Sequence, residues 1–311
     1  MREKRIAKSS PEFDRVENQW WNTNSALLER VWALSYPLQK AIRYHYLKKA
    51  KEFLKRGNDK SLIWEVGCGT GWVCRMIADK DFNIIGTDFS TSQIETAIEQ
   101  AKKFNKEQYC KYKVSDASSI VTGHNGIVIS AMLHHLTEEE LKAFFRIIES
   151  QNRGVKVFLY EPVFTQPNSD NGKLYAWLFK LVIRIYVRAV DMILKLTGRK
   201  DVQLVSATNN LWIEADKNGW FLSPKEVPFY EDELNQYLEP HFIINKKYFV
   251  NSTDYTIAQN LIFYKKENPG FFYTQIILRI ATLLDKVFFK LNFRAISKGQ
   301  YFFCCYELTK K

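Results

Sequence analysis

The sequence lacks most of the features that would assign it to a specialised class. Its five cysteines, Cys68, Cys74, Cys110, Cys304 and Cys305, are odd in number and include no Cys-x-x-Cys pair. That argues against a disulfide framework or a zinc-binding spacing and predicts reduced thiols in the core. Thirteen Gly and eight Pro in 311 residues are too few for a collagenous or low-complexity chain. No stretch of about 20 residues is both charge-free and predominantly apolar, so a conventional spanning helix is not expected. The charged start, Met1-Arg2-Glu3-Lys4-Arg5, has no apolar run behind it of the kind that marks a secretory signal. A cytoplasmic location is the corresponding expectation. No repeat of 20–50 residues is evident.

What the sequence does have is aromatic residues and positive charge. Phe, Tyr and Trp make up 15% of the chain within a hydrophobic content of 46%, enough for a sizeable core and more. The net charge of +11 is unevenly placed. Residues 1–60 carry 14 Lys/Arg against 7 Asp/Glu, residues 61–161 carry 11 against 13, and residues 162–311 carry 20 against 14. Basic flanks around a slightly acidic middle suit either nucleic acid or an anionic bilayer.

The hydrophobic pattern divides at the same places. Residues 24–56 read as helices, interrupted at Pro37. From residue 61 the pattern becomes short apolar runs, Leu62–Val66, Asn83–Thr87, Tyr112–Val114, Ile127–Ala131 and Val155–Tyr160, separated by helical stretches at 71–80, 91–105 and 137–150. Strand and helix alternating at this spacing predict a doubly wound α/β fold with a mostly parallel, Rossmann-like sheet. After Pro162 the alternation stops. Two long apolar stretches, Leu174–Leu196 and Phe271–Leu291, accompany predicted strands at Phe242–Val250 and Gln300–Glu307, which would bring the sheet to seven strands. The expected domains are a helical extension or cap over 1–60, a ligand-binding core over 61–161, and substrate- or membrane-contact helices with the last two strands over 162–311.

Three motifs fall at the carboxyl ends of predicted strands, where open α/β sheets bind ligands. Glu65-Val66-Gly67-Cys68-Gly69-Thr70-Gly71 joins the first strand to the first helix. Glycines there permit a sharp turn and close approach of a ligand to the backbone, beside the free N–H groups of a helix start. The spacing is Gly-x-Gly-x-Gly after an acid, with neither the Gly-x-Gly-x-x-Gly of dinucleotide sites nor the Gly-Lys-Ser/Thr of a phosphate-binding loop. Asp88, 21 residues beyond Gly67, is placed to accept hydrogen bonds from a ribose diol. It competes with Ser90 for the alternative role of helix cap. Asp116, in Val114-Ser115-Asp116-Ala117, could hold an adenine amino group or simply end its strand.

Together with Ser130-Ala131-Met132-Leu133-His134-His135-Leu136 after the fourth strand, these motifs make residues 61–161 resemble the class I S-adenosylmethionine-dependent methyltransferases. The resemblance implies S-adenosyl-L-methionine as cofactor. It also implies that Glu65, Gly67 and Gly69 contact its methionine portion, Asp88 its ribose, Phe89, Asp116 and Ala117 its adenine, and that Ser130 faces the transferred methyl. Displacement at a sulfonium methyl needs positioning first; a base matters only for a hydroxyl or acidic-carbon acceptor. Neutral imidazole suits that task, so His135 and His134 are the candidate catalytic residues, with Glu161 in Tyr160-Glu161-Pro162 a third. No metal is expected.

The flanking helices point to lipid. At 100° per residue, Lys173, Lys180, Arg184, Arg188, Asp191 and Lys195 fall within an arc of about 80°, and the remaining surface is almost wholly apolar. Gln275, Arg279, Thr282, Lys286 and Lys290 repeat the design. Narrow cationic stripes beside broad apolar faces suit the plane of an anionic membrane interface. The same faces could instead form a lid over a hydrophobic pocket or a dimer contact, and single stripes without a basic groove disfavour nucleic acid. The expected function is methyl transfer to a lipophilic or lipid-linked small molecule at the cytosolic face of a membrane. The alternatives are a soluble methyltransferase of a hydrophobic metabolite and a catalytically silent cofactor-binding protein.

Overall fold

The parallel strands of a doubly wound sheet are covered on both faces, so they read as continuous apolar runs. Ser61-Leu62-Ile63-Trp64-Glu65-Val66 and Gly126-Ile127-Val128-Ile129-Ser130 are of this kind. In the computed structural model the described residues are 14–23, 46–55, 57, 59–117, 121, 123–164, 229–250 and 301–311, with single positions at 181, 188, 192, 196 and 283. Two helices, α1 over 14–23 and α2 over 46–54, precede the sheet. There follow β1 (Ser61–Val66), α3 (Trp72–Ile77), β2 (Phe82–Asp88), α4 (Thr91–Lys103), β3 (Cys110–Val114), β4 (Gly126–Ser130), a 3-10 turn (Leu133–His135), α5 (Glu138–Glu149) and β5 (Lys156–Phe164). Beyond them lie β6 (Phe229–Tyr230), α6 (Glu231–Leu238), β7 (Phe242–Val250) and β8 (Tyr301–Lys310).

The strand order is β3-β2-β1-β4-β5-β8-β7, with β6 paired to β5. Pairs from β3 across to β5 are parallel, and β8 runs antiparallel to both β5 and β7. The two late strands complete the sheet as the sequence pattern predicts. The short β6 is an eighth strand that two residues could not signal; it pairs parallel with Val163 and Phe164 and leads into α6.

Successive residues of each strand feed opposite layers. Ile63, Ile84, Val128 and Phe158 pack with Tyr46, Leu47, Ala50 and Leu54 of α2, Val73 and Ile77 of α3 and Ile94 of α4. Trp64, Ile127, Ile129, Val157 and Leu159 pack with Leu141, Phe144, Phe145 and Ile148 of α5 and Leu234 and Leu238 of α6. The α5 residues lie at helical spacing on one face, and the helix starts in a reciprocal capping box between Thr137 and Glu140. All five cysteines are free and buried.

Helices on one face follow β1 and β2, and α5 on the other follows β4. A crevice therefore opens between the carboxyl ends of β1 and β4, where the winding reverses. One boundary differs from expectation in a way that matters for the site. β5 does not stop before Pro162 but runs to Phe164, placing Glu161 inside a strand instead of after it. Pairing with β4 ends at Tyr160, so the missing N–H of Pro162 costs no bond on that side, while Phe303 of β8 lies opposite. No helix among the described residues is long and apolar enough to cross a membrane. Residues 24–45 and, apart from positions 181, 188, 192, 196 and 283, the two predicted interfacial stretches lie outside the described residues. Within those stretches Leu181, Met192, Leu196 and Leu283 are helical and exposed.

Candidate active site

The turn after β1 shows why its glycines are needed. Gly67, Gly69 and Gly71 all take positive φ, at 64°, 52° and 71°. A Cβ on Gly67 would also lie 2.3 Å from Met132 Cγ, across the crevice mouth. The turn is pinned by Cys68 N–H donating to the Thr87 carbonyl at 2.9 Å and by Gly69 N–H donating to Asp88 Oδ2 at 2.9 Å. Asp88 Oδ1 accepts from Ser90 N–H at the same distance. The Ser90 hydroxyl oxygen in turn accepts from Gln93 N–H at 3.2 Å and caps α4. Ser90 is thus the cap, and Asp88 is held by two loops with lone pairs left on each oxygen. Burial pushes its carboxyl upward from the ordinary aspartate range, and the two N–H donors partly offset this.

Gly67, Gly69, Asp88 and Phe89 line a cavity of about 400 Å³. Ser115, Asp116 and Ala117 follow from β3, and Ala131, Met132, His135 and Leu136 from the segment after β4. Glu140 and Ala143 of α5 and Asp14, Glu17, Asn18 and Trp21 of α1 complete the wall. Phe89, 40% exposed, presents an aromatic surface there. Ala131 holds a left-handed φ of 53° at the corner, its N–H donating to the Tyr160 carbonyl at 2.7 Å.

Four residues singled out in the sequence stand behind this wall. Glu65 is buried beneath the glycine turn, accepting from the Cys74 thiol at 2.7 Å, and burial lifts its pKa to about 8. Ser130 is half-buried at the last position of β4, one residue before the wall begins. Glu161 is 0% exposed, and its Oε1 accepts the backbone N–H groups of Met132 and Leu133, both at 2.7 Å. Its Oε2 lies 2.8 Å from His134 Nδ1, and burial raises the Glu161 pKa to about 7. Glu161 and His134 therefore brace the 3-10 turn from inside, because β5 continues past Tyr160 and carries the carboxyl under the turn.

His135, by contrast, faces the cavity. Its Nδ1 lies 3.6 Å from Glu17 Oε1, and its ring meets Trp21 edge-on with centroids 5.4 Å apart. The α1 wall residues carry no motif in the sequence. A faint signal is the spacing of Glu17 and Trp21 four apart, which puts both on one helix face; there Trp21 Nε1–H donates to Glu17 Oε1 at 2.7 Å.

The donor set fits an adenosine-type ligand with a cationic sulfonium. Left-handed glycines leave backbone bare at the wall, a braced carboxylate faces the cavity at Asp88, and an aromatic face and an exposed carboxylate flank it at Phe89 and Asp116. Residues 63–151 match the family described as methyltransferase domain. The ubiquinone biosynthesis O-methyltransferase of Rickettsia akari is 30% identical over 116 residues, 36% of this chain and 43% of that protein. That of Rickettsia typhi is 31% identical over 102 residues, covering 31% and 37%. The chain thus spans about two fifths of the length of these curated relatives. Among solved structures, a cyclopropane synthase of Mycobacterium tuberculosis aligns over 85% of this chain and 82% of its own, at 12% identity and a TM-score of 0.49. The segment 63–151, with its glycine turn and the two acids that follow, is a class I S-adenosylmethionine-dependent methyltransferase domain.

Proposed function

We propose that the chain transfers a methyl group from S-adenosylmethionine to a hydroxyl oxygen of a lipophilic small molecule, with His135 as the base. The observation that carries this reading is that His135 and Asp88, on opposite sides of the crevice, line one cavity. In the assignment supported by that arrangement, Gly67 and Gly69 receive the methionine portion, Asp88 the ribose diol, and Phe89, Asp116 and Ala117 the adenine. When bound, the cofactor supplies a methyl on positively charged sulfur and leaves as a neutral thioether. The chain's own residues orient the acceptor, exclude water and take up the hydroxyl proton at His135. Met132, Leu136 and Trp21 give the acceptor side apolar surface.

The O-methyltransferase names of the curated relatives favour an oxygen acceptor, and the narrow cationic stripes beside broad apolar faces in the sequence of 173–196 and 271–291 favour a membrane-surface setting. Isothermal calorimetry with S-adenosylmethionine, followed by label transfer to an alkyl ester of dihydroxybenzoic acid, tests the chemistry. Binding that is lost in Asp88→Ala and transfer that is lost in His135→Ala are the expected results. Absent cofactor binding would overturn the reading. Flotation with anionic liposomes tests the setting: protein left in the soluble fraction at low salt would remove the membrane from it.

A further inference from the structure

We infer that Glu17, on α1, is a positioning residue for His135, so that the base is set for work only while α1 lies across the cavity. The inference rests on the hydroxyl-methylation reading above and adds a residue and a helix that it does not require. Glu17 is 5% exposed, an unusual place for a carboxylate on a helix whose Val16 is 40% exposed. Its Oε1 accepts Trp21 Nε1–H at 2.7 Å and faces His135 Nδ1 at 3.6 Å. The edge of the Trp21 ring against the imidazole limits how far that ring can swing. One side chain thus contacts the other two, and all three line the cavity.

The docking of α1 is itself tied to the cofactor loop. Asn22 Oδ1 accepts from the Ser90 hydroxyl at 2.8 Å and from Ser92 N–H at 3.2 Å. Gln93 Nε2–H donates to the Trp21 carbonyl at 3.3 Å. Ser90 is also the residue whose N–H holds Asp88. Helix, ribose carboxylate and base are thereby linked through one stretch of chain.

A carboxylate beside Nδ1 favours the tautomer with its proton on Nδ1 and leaves Nε2 as the acceptor nitrogen. In the balanced step, the acceptor O–H bond breaks and its proton passes to Nε2. The oxygen forms the new bond to the methyl carbon while the carbon–sulfur bond breaks, its electron pair remaining on sulfur. The imidazolium that results is stabilised by the Glu17 carboxylate until the proton reaches solvent. A separation of 3.6 Å is loose for a hydrogen bond; such contacts tighten when the ring becomes charged.

The test uses the full chain and Glu17→Gln, which keeps an acceptor oxygen for Trp21 but removes the charge. Nitrogen-15 imidazole spectra of the ligand-free protein should show the Nδ1–H tautomer of His135 in the wild type and a mixed population in the variant. With a decyl ester of 3,4-dihydroxybenzoic acid as acceptor, kcat should fall about 10²-fold, the low end of what a general base supplies, with KM changed far less. Trp21→Phe, which keeps an aromatic ring but removes the N–H that fixes the Glu17 carboxylate, should give a smaller tautomer shift in the same direction with a smaller loss of kcat, and stands in if Glu17→Gln does not fold. Unchanged spectra and unchanged kcat in both variants would overturn the role of Glu17 while leaving the proposed function intact. A wild-type protein that binds cofactor but methylates no hydroxyl would overturn the proposed function instead.

Discussion

His134 and His135 are adjacent in the chain and their ring centroids are 4.1 Å apart, yet they belong to two different regions. His134 lies in the closed interior with Glu161, whose two oxygens take the N–H groups of Met132 and Leu133 and the His134 Nδ1. His135 lies on the cavity wall opposite Glu17 of α1, with its Nδ1 3.6 Å from that carboxylate. The same residue type thus braces the interior in one place and lines the cavity in the next. The difference is set by which carboxylate each ring meets, and not by anything in the Leu-His-His-Leu sequence itself.

That contrast can be broken most directly by substitution on the cavity side. His135→Ala should cost a factor of about 10² to 10⁴ in kcat while changing unfolding free energy by about 1 kcal/mol or less; full activity would erase the distinction. On the interior side, Glu161→Ala orphans two backbone N–H groups and His134, and chemical denaturation should show a loss of about 3 kcal/mol. If Glu161→Ala kept its stability and lost only turnover, the carboxylate would belong to the reaction after all.

Asp88→Asn, which removes charge and presents an NH₂ to one of two N–H groups, should weaken S-adenosylmethionine binding about 10- to 100-fold by calorimetry. Wild-type affinity should likewise fall on acidification, beginning above the ordinary aspartate range. The Asp88 carboxyl is raised by burial, and in the proposed assignment the bound ribose diol favours its ionised form.

The smallest effect expected is that of Glu161→Gln, about 1 kcal/mol or less at neutral pH, because the amide can accept both N–H groups and donate to His134. Its pH dependence is more telling. The Glu161 pKa is raised from 4.5 to about 7, so its folded state favours the neutral form. That contribution to stability is complete below pH 4.5 and is lost as pH rises through about 7. The wild type should show this slope in denaturation midpoints, and Glu161→Gln should flatten it.

The cofactor side was legible because its residues are constrained one at a time. Gly67 must be glycine for a positive φ and for lack of space, and Asp88 must be a short acid at the end of a strand. Both constraints leave a mark in the order of residues. The acceptor side was not, because α1 inverts the usual rule: Val16 points outward and Glu17 inward, so apolar periodicity marks the wrong face. Glu161 was recognised, but its place was not, since Pro162 reads as a strand terminator and the loss of the neighbouring β4 partner at that point can be seen only in three dimensions. Asp88 and Ser90 competed for the helix cap in the sequence; the hydrogen bonds give it to Ser90.

The order of the sheet has a consequence for handling and for crowded solution. Among the described residues β3 and β7 are its two margins, and unpaired strand backbone is a template for joining a second molecule. Lys111 and Lys113 stand exposed along the first, and Asn245 and Lys246 along the second, next to the register irregularity between Ile244 and Lys246. Like charges would meet if two such margins were zipped together, and the irregularity disrupts the straight ladder that zipping needs. Lysine on the two margins thus guards the sheet against edge-to-edge aggregation, on β3 even though that strand belongs to the slightly acidic middle of the chain.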